Sequence, residues 1–198
     1  VAVDTLPESI EEEPNDAPEH APELALPHLV NGRIGRPGDC DLFRFAGRAG
    51  QELVAEIQAR RLGSPLDAVL VLTDAGGRQL AANDDSEDRS AGLITHHADA
   101  RIQLTLDADA TYCLRVGDAR HAGGEDHAYR LRISPPRPDF ALRATPSALN
   151  ARPGETVPFT IHALRQDGFA GRIALSLRDA PPGFVLGGAW VPAGQDRA

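Results

Sequence analysis

Asp41-Leu42-Phe43-Arg44-Phe45 decides the fold class. Successive side chains of an extended strand point to opposite faces, so Asp41, Phe43 and Phe45 share one face and Leu42 and Arg44 the other. The same period of two returns on both sides of this segment. Leu53, Ala55 and Ile57 alternate with Val54, Glu56 and Gln58, and Ile102, Leu104 and Leu106 with Arg101, Gln103 and Thr105. Tyr112, Leu114 and Val116 alternate with Cys113 and Arg115, and Tyr129, Leu131 and Ile133 with Arg130 and Arg132. Each reads as a half-buried strand. Ala68-Val69-Leu70-Val71-Leu72 is continuously apolar and predicts a strand buried on both faces. Turn chemistry separates the strands at Arg36-Pro37-Gly38-Asp39, Ala75-Gly76-Gly77 and Gly123-Gly124-Glu125-Asp126. The pattern predicts an all-β chain built on an antiparallel, jelly-roll-like β-sandwich over residues 29–134.

Composition points the same way. The 198 residues include 19 Gly and 16 Pro, which favour short strands joined by turns, and 41% are hydrophobic, enough for a packed core.

Residues 1–28 read differently. Pro14, Pro18, Pro22 and Pro27 forbid a stable helix, and Glu11-Glu12-Glu13-Pro14-Asn15-Asp16 is the densest acidic run. The segment is expected to be a solvated leader that joins the first domain from about residue 11. Residues 135–138, in Ser134-Pro135-Pro136-Arg137-Pro138, read as a stiff linker. Beyond it, over 139–198, strands are expected at Phe140–Leu142, Val157–Ile161 and Ile173–Leu177, with Trp190 in their core. That is about half of the ~7 strands of an immunoglobulin sandwich, so a partial immunoglobulin-like β-sandwich is predicted. The opening Val1-Ala2-Val3-Asp4 is neither an initiator nor a signal peptide, and the sequence is expected to be a piece of a longer precursor.

Charge narrows the partners. With 29 acidic and 20 basic residues the net charge is -9, which repels phosphate backbones and anionic lipid heads. Nucleic acid is not expected as a partner. Membrane insertion is not expected either, because no apolar run reaches the ~18 residues of a spanning helix. Every basic residue is Arg and Met is absent, a coding bias rather than a functional signal since the arginines are scattered.

Catalytic motifs are missing. There is no HExxH, GxSxG or Walker sequence, and Gly63-Ser64-Pro65 lacks the second glycine of a nucleophile elbow. His96-His97 would point to opposite faces of a strand. Cys40 lies between two aspartates, which raise a thiol pKa. The chain is therefore not expected to be an enzyme. Cys40 and Cys113 share the outward parity of their strands and fit either one disulfide or two unpaired thiols.

In order, Glu13-Pro14-Asn15-Asp16, Val30-Asn31-Gly32-Arg33-Ile34, Gly38-Asp39-Cys40-Asp41-Leu42-Phe43-Arg44-Phe45, Arg61-Leu62-Gly63-Ser64-Pro65-Leu66-Asp67, Ala82-Asn83-Asp84-Asp85-Ser86, Thr111-Tyr112-Cys113-Leu114-Arg115-Val116 and Tyr129-Arg130-Leu131-Arg132-Ile133 resemble the bacterial pre-peptidase C-terminal (PPC) domain. The resemblance covers residues 11–134; from 139 onward the chain resembles the immunoglobulin-like modules that often follow such domains. It implies a compact β-sandwich carried by secreted, cell-surface or periplasmic bacterial proteins. The partners would be other domains of the parent protein or an extracellular protein. The function so implied is that of a non-catalytic spacer or protein-attachment module. A calcium-dependent adhesion module for collagen or another protein, and an accessory part of a secreted protease, are the alternatives.

Related domains of clostridial collagenases bind calcium at the N-terminal acidic segment. By resemblance the candidate ligands here are Glu11, Glu13, Asn15, Asp16 and Asp41, with Asp39 close by. Calcium takes six to eight oxygen ligands, and alternate residues 11, 13 and 15 of an extended segment can converge. Gly38 stands where the collagenase pattern has a further aspartate, so Asp39 substitutes for it or the site is weakened. A calcium site and a plain solvated acidic run both fit the residues. A second acidic cluster, residues 83–88, lacks the glycine and terminal glutamate of an EF-hand and reads as a turn or as a second cation site.

Overall fold

The structure, a computed structural model, describes residues 4–85 and 99–198. They fall into two compact units, the first holding 4–85 and 99–136, the second 137–198.

In the first unit the alternating segments become β3 (His28–Arg33), β4 (Cys40–Gly47), β5 (Glu52–Gln58), β6 (Ala68–Asp74), β7 (Gln79–Asn83), β8 (Arg101–Thr105), β9 (Ala110–Asp118) and β10 (Ala128–Ser134). Two short strands precede them, β1 (Glu8–Ile10) and β2 (Glu23–Leu24). One sheet runs β1-β3-β10-β5-β8 and the other β2-β4-β9-β6-β7, packed as a sandwich. The apolar parity of each strand fills the space between them. Phe43, Phe45, Ile57, Leu70, Leu72, Leu114, Leu131 and Ile133 are at most 1% exposed. Each such side chain contributes about 1.5–3 kcal/mol of transfer free energy. Phe45 is paired with Tyr112 across β4 and β9, which stacks their rings at 5.8 Å.

Two features depart from expectation here, and a third decides between alternatives the sequence left open. The leader is woven into the unit from residue 8, because β1 pairs parallel with β3 and β2 parallel with β4. The sheets are therefore mixed, antiparallel only among the longer strands. Proline lacks a donor but keeps its carbonyl, and Pro7 and Pro22 use theirs to accept from Leu29 N and Arg44 N. Next, β6 buries one face only: Ala68, Leu70 and Leu72 are fully buried, whereas Val69 and Val71 are half-buried. Finally, the cysteines are free. Their strands are neighbours, but Cys40 is paired with Gly117 and Cys113 with Arg44. A four-residue offset is about 13 Å along a strand, and a disulfide needs Cα atoms within about 7 Å.

In the second unit β11 (Asp139–Thr145) pairs with β12 (Thr160–Gln166), and β13 (Ile173–Ala174) with β14 (Trp190–Val191), both antiparallel. The strands expected at 157–161 and 173–177 start late and end early, respectively. Ala163, Ile173 and Val191 form a small core. Trp190 lies outside it, 47% exposed, with the Arg172 guanidinium 4.4 Å from its ring centroid. The parity of β14 turns Val191 inward and Trp190 out.

His96, His97 and residues 86–88 of the second acidic cluster lie outside the described residues. In the described half of that cluster, Asn83 Nδ2 donates to Asp85 O at 2.9 Å and Asn83 Oδ1 accepts from Arg101 N at 2.8 Å, as a side-chain-stabilised turn would have it.

Candidate metal centre

The leader passes from one sheet to the other. Glu11 N donates to Asn31 O of β3 at 3.0 Å, and Asn15 O accepts from Leu42 N of β4 at 3.0 Å. Residues 11–15 thus bridge β3 and β4, and Asp39 and Asp41 enter from the start of β4. Carboxylate oxygens of Glu13, Asp39 and Asp41 lie within 4.8 Å of one another. Asn15, fully buried, sets its amide against Asp41 Oδ1 and Glu13 Oε2.

Tyr129 of β10 closes the cluster from the other sheet. Its hydroxyl faces Asp41 Oδ2 at 2.5 Å and Glu11 Oε2 at 2.9 Å. Gly32, its cross-strand partner, leaves the room, since a Cβ there would overlap Glu11 Oε2 and the Tyr129 ring. Glu11 Oε1 accepts from Arg33 N at 2.7 Å. Asp39 Oδ2 accepts from Gly35 N at 2.7 Å, while its buried Oδ1 makes no hydrogen bond but lies 3.6 Å from Arg36 Nη2. Asp16 points elsewhere, 2.5 Å from the exposed Arg36.

Of the residues singled out from the sequence, Glu13, Asp39 and Asp41 therefore converge, Asn15 adjoins them, Glu11 is joined through Tyr129, and Asp16 stands apart. Alternation alone places Tyr129 on the apolar face of its strand. The signal that finds it is its hydroxyl, which needs a partner when buried.

The segments that carry the PPC resemblance fall in order on the leader, β3, β4, the β5–β6 connection, the end of β7, β9 and β10. A probable subtilase-type serine protease of Deinococcus radiodurans is 37% identical over 107 residues, which are 52% of this chain and 14% of that protein. The first unit is a β-sandwich of two mixed sheets whose segments resemble those of the PPC domain. No family profile matches the chain. Among solved structures, the pre-peptidase C-terminal domain of a collagenase from Bacillus anthracis superposes with a TM-score of 0.44 at 13% identity, over 63% of this chain and 100% of that one. PliG of Aeromonas hydrophila, a periplasmic inhibitor of g-type lysozyme, gives 0.42 at 16% identity, over 64% and 97%.

The acidic cluster of the first unit is electrostatically unbalanced. Burial pushes the Asp41 carboxyl up to about 9, and the neighbouring Glu11 and Asp39 push the same way against the Tyr129 hydrogen bond. Burial raises Glu13 as well, with the charges of Asp39, Asp16 and Glu11 adding to it. Burial and the Asp41 and Glu11 carboxylates hold Tyr129 well above the usual phenol range, so it remains a neutral donor. Burial also lifts the Cys40 thiol, in keeping with an inert side chain. A donor set made only of carboxylate and amide oxygens fits a hard divalent cation. Asp39 Oδ1, which accepts no hydrogen bond, is an oxygen that such an ion would engage.

Proposed function

We propose that the PPC-like unit is a non-catalytic accessory module of an exported bacterial protein, with a calcium ion tying its leader to both sheets. Convergence of the Glu13, Asp39 and Asp41 carboxylates within 4.8 Å of one another, Asp39 and Asp41 both buried, carries this reading. Glu13, Asp39, Asp41 and Asn15 would hold the ion, and Glu11 and Tyr129 would orient Asp41. The charge of the ion would offset carboxylate repulsion that the exposed Arg36, paired with Asp16 and 3.6 Å from Asp39, only partly relieves.

The match to a stretch of a subtilase-type protease supports attachment to a secreted protease whose catalytic domain lies elsewhere. The absence of a nucleophile–base motif in the sequence and the raised Cys40 thiol speak for a role without catalysis.

Thermal melts of chelator-treated protein with and without millimolar calcium, against a magnesium control, test the metal half. A hundredfold excess of calcium over Kd adds about 2.7 kcal/mol, a rise of several degrees. Identical melts in calcium, magnesium and chelator would remove calcium from the reading and leave a plain β-sandwich module.

A further inference from the structure

We propose that the second unit pairs with a second copy of itself, edge to edge along β11 and in one register. Among the described residues β11 has a single strand neighbour, β12. Its other edge is open, and residues 139–144 along it are all exposed. An open strand edge is a template for another strand.

The hydrogen bonds on the far side of β12 show which groups the open edge offers. Ile161 N donates to Ala198 O at 2.9 Å, Ala198 N to Ile161 O at 3.1 Å, and Ala163 N to Asp196 O at 2.9 Å. Backbone groups alternate sides along a strand, so His162 and Leu164 turn theirs to β11. Those two are paired with Arg143 and Ala141. Phe140, Leu142 and Ala144 therefore present their N–H and C=O groups outward. Phe140 N–H is met there by its own Asp139 Oδ1 at 2.8 Å. The side chains divide in the same way. Leu142 is paired with Ala163 of the small core, so Phe140 and Leu142 share the core face, where they remain 37% and 41% exposed. Asp139, Ala141 and Arg143 take the other face. Arg143 is exposed and, among the described residues, has no ion pair.

A two-fold axis through Ala141 makes this strand its own complement. Phe140 then lies opposite Leu142 of the second copy, and their outward N–H and C=O groups exchange hydrogen bonds on both sides of the axis. On the other face Asp139 meets Arg143 of the second copy, again on both sides. These are non-hydrogen-bonded pairs, in which side chains approach most closely. Phe140 N–H passes from Asp139 to the Leu142 carbonyl of the second copy, which releases the carboxylate to the arginine. Pro138 falls opposite Ala144 and has no N–H to give, so the pairing ends there. An axis through Leu142 would set Arg143 against Ala141, and one through Arg143 would set two arginines together. The Ala141 register matches charge on one face and apolar side chains on the other.

Sedimentation equilibrium of the full chain tests this in about 0.15 M salt, where the net charge of -9 is screened beyond about 8 Å. Wild type should show a concentration-dependent monomer–dimer equilibrium. Arg143→Asp sets two aspartates opposite each other and should raise the dissociation constant at least about tenfold. Adding Asp139→Arg restores opposite charges and should bring the constant back to within about threefold of wild type. Both positions are exposed, and far-ultraviolet dichroism checks that the variants keep their strands. A second measurement fixes the register. Non-hydrogen-bonded partners have Cα atoms about 4.5 Å apart, within disulfide reach. In protein carrying Cys40→Ser and Cys113→Ser, air oxidation should therefore link two copies through Ala141→Cys but not through Ala144→Cys. Wild type that stays monomeric at about 1 mM overturns the pairing. So does a dimer that Arg143→Asp leaves unchanged, that the double variant does not restore, or that links at 144 as readily as at 141.

Discussion

Tyr129 and Asp41 meet oxygen to oxygen at 2.5 Å across the sandwich, one from β10 and the other from β4. The same hydroxyl faces Glu11 Oε2 at 2.9 Å, so one phenol proton stands between carboxylates of the leader and of the second sheet. Tyr129→Phe keeps the ring and removes that proton. It should cost about 1–3 kcal/mol in metal-free protein, the penalty of leaving buried acceptors unsatisfied. Urea unfolding in chelator measures it, and an unchanged midpoint would show that the contact has no energetic role.

Asp41→Asn should behave in the opposite sense. Burial makes the Asp41 carboxylate costly, and a neutral amide of the same shape removes that cost. Without metal the variant should be at least as stable as wild type, while its response to calcium disappears. Because the folded pKa lies above the unfolded one, metal-free wild type should lose stability as pH rises from about 4 toward about 9, by at most about 1.4 kcal/mol per unit. Asp41→Asn should flatten that slope. A variant less stable than wild type in chelator would mean that the carboxylate is favourable as it stands.

Asp99 sets the acid limit. Its Oδ1 accepts from Ala59 N at 2.9 Å and Arg60 N at 2.7 Å, and its Oδ2 from Arg61 Nε at 2.6 Å. Burial alone would raise this carboxyl, but the Arg61 guanidinium and the two amides outweigh it and hold the pKa low. Glu56 is held low in the same way, against burial, by Arg61 and Arg132. For a depressed pKa the stabilisation is complete above the unfolded value, about 4, and is lost as pH falls through the folded value. Stability should therefore drop below about pH 4, and Asp99→Asn should cost about 2–3 kcal/mol at pH 7 while making that drop shallower. Denaturant midpoints between pH 3 and pH 7 decide it.

The two thiols should both react under denaturing conditions after expression into an oxidising compartment. An intramolecular Cys40–Cys113 link, found by mass spectrometry after digestion, would contradict the β4–β9 register.

Much of the first unit was legible because period two reports which face a residue takes, and Phe43, Phe45, Leu131 and Ile133 obey it. Period two does not report register, which is why the parity of Cys40 and Cys113 left their pairing open. It fails again on strands of two or three residues, too short to show a period, so the leader looked solvated although β1 and β2 lie in it. Of the site, the resemblance named Glu13, Asn15, Asp39 and Asp41, while alternation said only that residues 11, 13 and 15 can share a face. The pairing of Asp16 with Arg36 and the hydroxyl of Tyr129 depend on contacts between segments distant in sequence, which alternation does not encode.

The parallel pairing of β1 has a mechanical result. Glu8 and Arg132 are both paired with Leu29, from opposite sides of β3. The chain therefore enters and leaves the first unit at the same end of one strand, about 10 Å apart across two strand spacings. The two ends of the unit are thus held close together, and its folded body adds almost no length between them. Tension on the two ends would peel β1 and β10 from β3 one hydrogen bond at a time, so the unit would open at low force and pay out slack.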